Sequence, residues 1–189
     1  MKKHILATLV LGALTLPAAA EGFYVIGDIG HTTLSAEGLD KTDNGLSIGG
    51  VYNLNNTFAI EAAYRDLGGL SSSYQDTYMN MDVDVKENLD FSALQLSAIA
   101  KMPLNDTFDV YGRLGMAKLK SKYKISAYVS ADDSSASQSS SDSENKMVYG
   151  IGARYTLNEK AGIRFEYNKF ADWEGLSISA LTLGADYSF

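Results

Sequence analysis

From Phe23 to Phe189 the sequence places an apolar residue at every second position, again and again. This is the period of a pleated β-strand, whose successive side chains point to opposite faces, and not the 3.6-residue period of a helix. The last segment has one apolar face, made of Leu181, Leu183, Ala185, Tyr187 and Phe189. The other face is polar and consists of Thr182, Gly184, Asp186 and Ser188. The alternation predicts two-faced β-strands, and no stretch shows a convincing helical stripe.

Eight segments share this pattern. They lie near residues 23–33, 44–54, 57–67, 91–102, 107–118, 146–157, 160–170 and 177–189. Short turns are predicted at Asn55–Asn56, Pro103–Asp106 and Asn158–Glu159, and they alternate with longer loops near 34–43, 68–90, 119–145 and 171–176. Each segment has the roughly nine to eleven residues that a tilted strand needs to cross a bilayer. The pattern predicts an all-β, closed, antiparallel up-and-down barrel of eight strands.

The two faces decide between a barrel in water and a barrel in a membrane. A soluble barrel such as a lipocalin has an apolar interior and an exterior that tolerates water. Here the polar face carries small residues that suit a narrow lumen, namely Gly30, Gly49, Gly115, Gly152 and Gly184. The apolar face is continuous and is rimmed by Tyr52, Tyr155, Tyr187 and Phe189, as in an aromatic belt. We therefore predict a transmembrane barrel, with a soluble periplasmic barrel as the alternative.

Residues 1–20 have the layout of a secretory signal peptide. Lys2 and Lys3 precede an apolar run that ends before three alanines and Glu21. We expect a barrel domain over residues 21–189, with no disulfide because the chain has no cysteine. The whole chain has a net charge of −7, and loss of the two lysines makes it about −9. This acidity argues against nucleic acid as a partner.

Three stretches of sequence resemble strand–turn–strand units of a known family. They are residues 49–54, 102–115 and 152–167. In them the chain resembles the membrane domain of OmpA and the small opacity-type outer-membrane barrels. The resemblance implies a Gram-negative outer-membrane location, with both termini in the periplasm and the long loops outside the cell. We expect no peptidoglycan-binding domain after Phe189. Tyr187 and Phe189 are similar to the C-terminal assembly signal of such barrels, which implies the barrel assembly machinery as a partner.

The polar face carries five basic and five acidic side chains, which parity places in the lumen. They are Asp28, Glu61, Arg65, Lys101, Asp109, Arg113, Arg154, Arg164, Glu166 and Asp186. Unpaired charges in a confined space are costly, so a balanced set predicts an ion-pair network that plugs the lumen.

In the OmpA-like family an interior ion-pair cluster is regarded as a gate. Glu61 and Arg164 match two of its four positions, whereas Ile99 replaces a lysine and Arg154 replaces a glutamate. We expect Glu61 to pair with Arg154 or Arg164. A small ion-conducting channel stays open as the alternative function.

The loop over 119–145 is expected to be mobile because residues 134–143 are rich in serine. Lys118, Lys120, Lys122 and Lys124 alternate just before that stretch and continue the outward face. They are candidates for contact with lipopolysaccharide phosphates, or else they lie on a solvated ribbon.

Catalytic chemistry has little support in the sequence. His31 is the one histidine after the signal peptide, and a site would require Ser177 or Ser179 and a carboxylate beside it. Asp82 and Asp84 alone fall short of a calcium loop. We predict neither enzyme activity nor a metal or other cofactor. The predicted function is that of an outer-membrane surface protein, structural or adhesin-like, whose loops bind host, matrix or lipopolysaccharide ligands.

Overall fold

The computed structural model describes residues 22–36, 39–78, 81–129, 134–173 and 175–189. Its eight strands are β1 (Phe23–Ala36), β2 (Leu39–Asn53), β3 (Phe58–Tyr78), β4 (Met81–Pro103), β5 (Phe108–Val129), β6 (Ser134–Thr156), β7 (Ala161–Trp173) and β8 (Leu176–Ser188). Each strand pairs antiparallel with the next, and β8 closes the barrel on β1. The predicted fold is confirmed. The predicted signal peptide, residues 1–20, lies outside the described residues.

The side chains alternate between the lumen and the outer wall as the sequence pattern predicts. On β1, Tyr24, Ile26 and Asp28 are buried, whereas Ile29 between the inward residues is 64% exposed. The outer wall therefore presents a continuous apolar surface that no other part of the described chain covers. No helix among the described residues is long and apolar enough to span a membrane.

Three tight turns close the end of the barrel that carries the first and last described residues, which we call the terminal end. Each turn begins with a Leu-Asn pair at 54–55, 104–105 or 157–158. The asparagine Oδ1 accepts hydrogen bonds from the backbone N–H groups two and three residues later, at 2.8–2.9 Å in all three turns. This is an Asx-turn, in which the side chain imitates a backbone acceptor and reverses the chain.

The strands extend much further at the opposite end, the far end, than the alternation predicted. Pairing of β3 with β4 continues to Tyr78 and Met81, and pairing of β5 with β6 continues to Val129 and Ser134. The prediction of a loop over residues 119–145 is therefore wrong, because most of these residues form a paired hairpin. Regular pairing with β5 satisfies the backbone of the serines, which have little intrinsic preference for strands.

The barrel divides into two sheets at the far end. Pairing between β2 and β3 stops at Leu46 and Asp66, and pairing between β6 and β7 stops at Val148 and Phe170. Beyond these points β3 to β6 continue as a separate four-stranded sheet. We call it the extension, and it comprises residues 69–78, 81–90, 119–129 and 134–147.

A β-bulge marks the point where β3 leaves β2. The register shifts between Asp66 and Gly69, and Gly68 has a φ of +72°, which a glycine adopts without strain. The N–H group of Gly69 donates a hydrogen bond to Asp43 Oδ2 at 2.8 Å, so β2 holds the bulge in place.

Candidate functional site

The centre of the lumen contains two glutamates that share three arginines. Arg65 Nη2 lies 3.3 Å from Glu61 Oε1 and 3.1 Å from Glu166 Oε1. Arg113 Nη2 lies 2.6 Å from Glu61 Oε2 and 2.9 Å from Glu166 Oε2. Arg164 also contacts both carboxylates, with Nη1 3.2 Å from Glu61 Oε2 and Nη2 on Glu166 Oε2. Buried charges with this many opposite partners are strongly held in place.

Neutral side chains complete this central cluster. Tyr111 donates a hydrogen bond to Glu166 Oε2 at 2.9 Å, and its ring lies 5.7 Å from the Arg164 guanidinium carbon. Arg65 donates to Gln95 at 2.8 Å and to Ser47 at 3.2 Å. Sequence reasoning did not single out these three neutral residues, although all of them have inward parity. They satisfy donors and acceptors that the charged groups leave free.

Asp28 joins the central cluster from β1. Its Oδ1 lies 3.3 Å from Arg164 Nε. The carboxylate extends over Gly184 of the neighbouring strand, where a methyl group in place of the glycine hydrogen would overlap it. The glycine on the polar face of β8 is thus explained by the side chain that lies across it.

A second layer of charges lies closer to the terminal end. Arg154 donates to both oxygens of Asp186, at 2.8 Å from Nε and 2.7 Å from Nη2, and its Nη1 lies 3.9 Å from Asp109. Lys101 does not form an ion pair within the described part of the chain; its Nζ donates to Asn53 Oδ1 at 2.6 Å. The remaining space here is a cavity of about 10 Å³, with room for at most one water molecule.

An apolar layer closes the lumen on the other side of the central cluster. Nine buried residues form this apolar plug: Leu34, Leu67, Phe91, Ala93, Ala117, Leu119, Val148, Phe170 and Ile178. Sequence reasoning treated the inward face as polar throughout and missed this layer. The signal was present, because these residues continue the inward parity of each strand toward the far end.

Glu61 pairs with one of its two predicted partners. The structure pairs it with Arg164, together with Arg65 and Arg113, whereas Arg154 pairs with Asp186 in the other layer. Ile99 belongs to a small apolar cluster beside Tyr24 and Tyr111. The lumen is thus closed by three successive layers, two charged and one apolar.

The comparisons with known proteins agree with this architecture. The family model described as "Outer membrane protein beta-barrel domain" matches residues 6–189. The chain belongs to this outer-membrane β-barrel family. No curated protein matches it significantly.

Solved structures show the same fold. The attachment invasion locus protein Ail of Yersinia pestis is 17% identical, with a TM-score of 0.56 over 89% of this chain and 99% of that one. Ail in complex with the heparin analogue sucrose octasulfate has a TM-score of 0.57 at the same identity and coverage. Neisserial surface protein A is 14% identical, with a TM-score of 0.57 over 89% of this chain and 98% of that one. At these identities the likeness concerns the fold.

Family membership assigns a location to each end of this outer-membrane barrel. The protein lies in the outer membrane of a Gram-negative cell, and its exposed apolar wall faces the lipid. The tight turns of the terminal end belong on the periplasmic side, and the extension and the other long hairpins are extracellular.

The two outer strands of this extracellular extension have unpaired edges. From Gly69 to Tyr78, β3 pairs with β4 and with no other strand in the described part of the chain. From Ser134 to Met147, β6 likewise pairs with β5 alone among the described residues. Neither edge carries a charge or a proline over residues 69–75 and 134–141. Charged residues and prolines on an exposed edge strand normally prevent it from pairing with another chain.

The four alternating lysines lie on the outer face of β5. All four are exposed, as the parity predicted. Lys118 and Lys120 line a groove of about 300 Å³ with the lipid-facing residues Tyr64 and Leu94, with serines of β4 and β6, and with the acidic Asp142 of β6. Lys122 and Lys124 lie further from the membrane and do not line this groove.

The remaining candidate residues lie apart from these sites. His31 is exposed on the outer wall and forms no side-chain hydrogen bond with Ser177, Ser179 or a carboxylate within the described residues. The described residues also hold no group of three or more metal-ligating side chains. At the periplasmic end Phe189 stacks on Phe23 with ring centres 6.4 Å apart and meets Tyr187 edge-on at 5.6 Å. This aromatic group lies where β8 joins β1.

Proposed function

We propose that this protein is a cell-surface binding protein whose ligand-binding element is the extracellular extension. The observation that carries the proposal is the pair of unpaired strand edges on β3 and β6, which carry no charge over residues 69–75 and 134–141. A free edge offers a row of backbone N–H and C=O groups, and an extended segment of another protein can add to it as a further strand. The ligand proposed here is an extended polypeptide of a host or matrix protein.

The composition of the edges suits this role. Small serine side chains flank the backbone of β6 on both faces, so a partner strand meets little steric hindrance. Backbone hydrogen bonds would supply most of the affinity, with modest dependence on the ligand sequence. The related fold of Ail, whose name refers to attachment and invasion, gives this binding role additional support.

The lumen does not favour the alternative function of an ion channel. Its two charged layers hold Glu61, Arg113 and Asp186 buried and paired, and the apolar plug lies above them. An ion would have to break buried ion pairs and then cross a dry layer. The closed lumen therefore supports a role for the barrel as an anchor.

Two further partners are part of this proposal. Lys118 and Lys120 would bind lipopolysaccharide phosphates in the groove beside Tyr64, where phosphate and acyl chain meet at the membrane surface. Lys122 and Lys124 are proposed as weaker contacts above them. The structure of Ail in complex with the heparin analogue sucrose octasulfate shows a related barrel with a bound polyanion. Tyr187 and Phe189 would serve as the signal read by the barrel assembly machinery.

The edge proposal is tested with a synthetic strand. The probe is a fluorescent ten-residue peptide of alternating threonine and valine, called the Thr-Val peptide. It is titrated into the full protein in lipid nanodiscs, and an N-methylated version of the same peptide is the control. N-methylation at alternate residues removes one row of backbone donors and keeps the side chains. We expect saturable binding of the plain peptide, loss of binding after N-methylation, and weaker binding to the Ser137→Lys/Ser139→Lys variant. Equal binding of both peptides would show that the strand edges are not the binding element.

A further inference from the structure

The extracellular mouth of the barrel contains a pocket that the roles above do not explain, although residues 70–72 of the β3 edge form part of its lining. It has a volume of about 420 Å³, which is in the range of small-molecule sites. Four leucines from β1, β3, β4 and β8 line it: Leu34, Leu70, Leu89 and Leu176. These leucines belong to the apolar plug or pack against it. The pocket therefore ends on the plug and has no continuation into the lumen.

Two charged side chains also line the pocket, and they differ in their surroundings. Lys41 is exposed, so water hydrates its ammonium group. Glu87 is half-buried, and its Oε1 accepts a hydrogen bond from the Tyr123 hydroxyl at 3.0 Å. No basic group of the described residues lies within ion-pair distance of Glu87. A half-buried carboxylate without a counter-ion is stabilised when a ligand supplies the cation.

The position of Glu87 is fixed from two sides. It lies opposite Ile125 on β5 and Ser72 on β3, so three paired strands hold its backbone. The hydrogen bond to Glu87 raises the pKa of Tyr123, so the phenol keeps its proton and remains the donor. The carboxylate thus has a defined direction toward the pocket beside an aromatic ring.

We propose that this pocket binds a small molecule composed of an apolar body and a cationic nitrogen. The body lies over the leucines, and the nitrogen meets the Glu87 carboxylate beside the Tyr123 hydroxyl. The net charge of −7 attracts cations to the protein in general. An anionic amphiphile would be repelled by Glu87. Its only favourable charge contact would be an ion pair with the exposed, well-hydrated Lys41.

Three probes with one chain length test the proposal: octylammonium, octanol and octanoate. Each is titrated into the isotope-labelled full protein in nanodiscs, and the amide NMR shifts of Leu89 and Tyr123 are followed. Titration of empty nanodiscs corrects for partition of each probe into lipid. We expect saturable shifts, with octylammonium binding about tenfold more tightly than octanol, as for one charge-assisted hydrogen bond. Octanoate should bind most weakly.

Two variants separate the head group from the chain. Glu87→Gln keeps an acceptor for Tyr123 and should bring octylammonium to the affinity of octanol. Glu159→Gln makes the same change in a periplasmic turn and should alter nothing. The proposal is overturned if octanoate binds as tightly as octylammonium, if Glu87→Gln keeps the preference for the cation, or if no probe gives saturable shifts at the mouth.

Discussion

Glu61 and Glu166 lie on different strands, yet their carboxylates are held by the same three arginines. This arrangement makes each glutamate a partner of the whole central cluster and not of a single cation. Glu61→Gln would leave the arginines with one carboxylate fewer in a buried site. We expect a loss of about 3–5 kcal/mol in the free energy of unfolding, which is typical when a buried ion pair loses one partner. Urea titration of the barrel in detergent measures it.

The control for this prediction is Glu159→Gln in the exposed periplasmic turn, which should change stability by no more than about 0.5 kcal/mol. Equal stability of both variants would mean that the buried charges contribute no net stabilisation.

Phe170 and Phe165 test the apolar plug on a single strand. Phe170 is fully buried in the plug, whereas Phe165 is on the lipid-facing wall with 51% of its surface exposed. Phe170→Ala should destabilise the barrel by about 3–5 kcal/mol because it leaves a cavity in a packed layer. Phe165→Ala should cost less, since lipid fills the space. A larger loss for Phe165→Ala, again from urea titration, would contradict the assignment of the plug.

Removal of residues 122–141 tests whether the β5–β6 hairpin is separable from the barrel. Ser121 and Asp142 face each other across the two strands, so a two-residue Asn-Gly turn can join them. The shortened protein should still migrate faster in SDS electrophoresis before boiling than after it, as closed barrels do. It should lose Thr-Val peptide binding at the β6 edge. Loss of the heat-dependent shift would show that the hairpin is needed for folding.

The lysine row allows a comparison between two pairs of equal charge. Lys118→Gln with Lys120→Gln removes the two cations that line the groove beside Tyr64. Lys122→Gln with Lys124→Gln removes two cations that do not line this groove. Binding of lipid A in nanodiscs should fall more for the first pair, by about 1 kcal/mol for each lysine. Dephosphorylated lipid A should bind both double variants alike. Equal losses for the two pairs would show attraction by overall charge.

Phe189 is expected to matter during assembly more than in the finished barrel. Its ring is 39% exposed and contacts Phe23 and Tyr187 at the periplasmic rim. Phe189→Ala should lower the amount of folded protein in outer-membrane fractions severalfold while changing unfolding of the purified barrel by at most about 1 kcal/mol, as for a partly exposed side chain. Normal outer-membrane levels of this variant would remove Phe189 from the assembly signal.

The sequence predicted the face of each residue well and the partners of each residue poorly. Alternation placed Glu61, Arg113 and Arg164 on the inward face because parity needs only the position along the strand. The partners depend on register and strand tilt across the whole barrel, which alternation does not define. The serine-rich part of β6 was assigned to a loop for a related reason, since its pairing comes from β5 and not from its own composition.

Each charged layer of the lumen is neutral as a unit. Three carboxylates face three guanidinium groups in the central cluster, and Lys101 and Arg154 balance Asp109 and Asp186 below it. An electric potential across the membrane acts on a structure in proportion to the net charge that moves. A rigid displacement of either layer along the barrel axis would therefore move no net charge through the membrane.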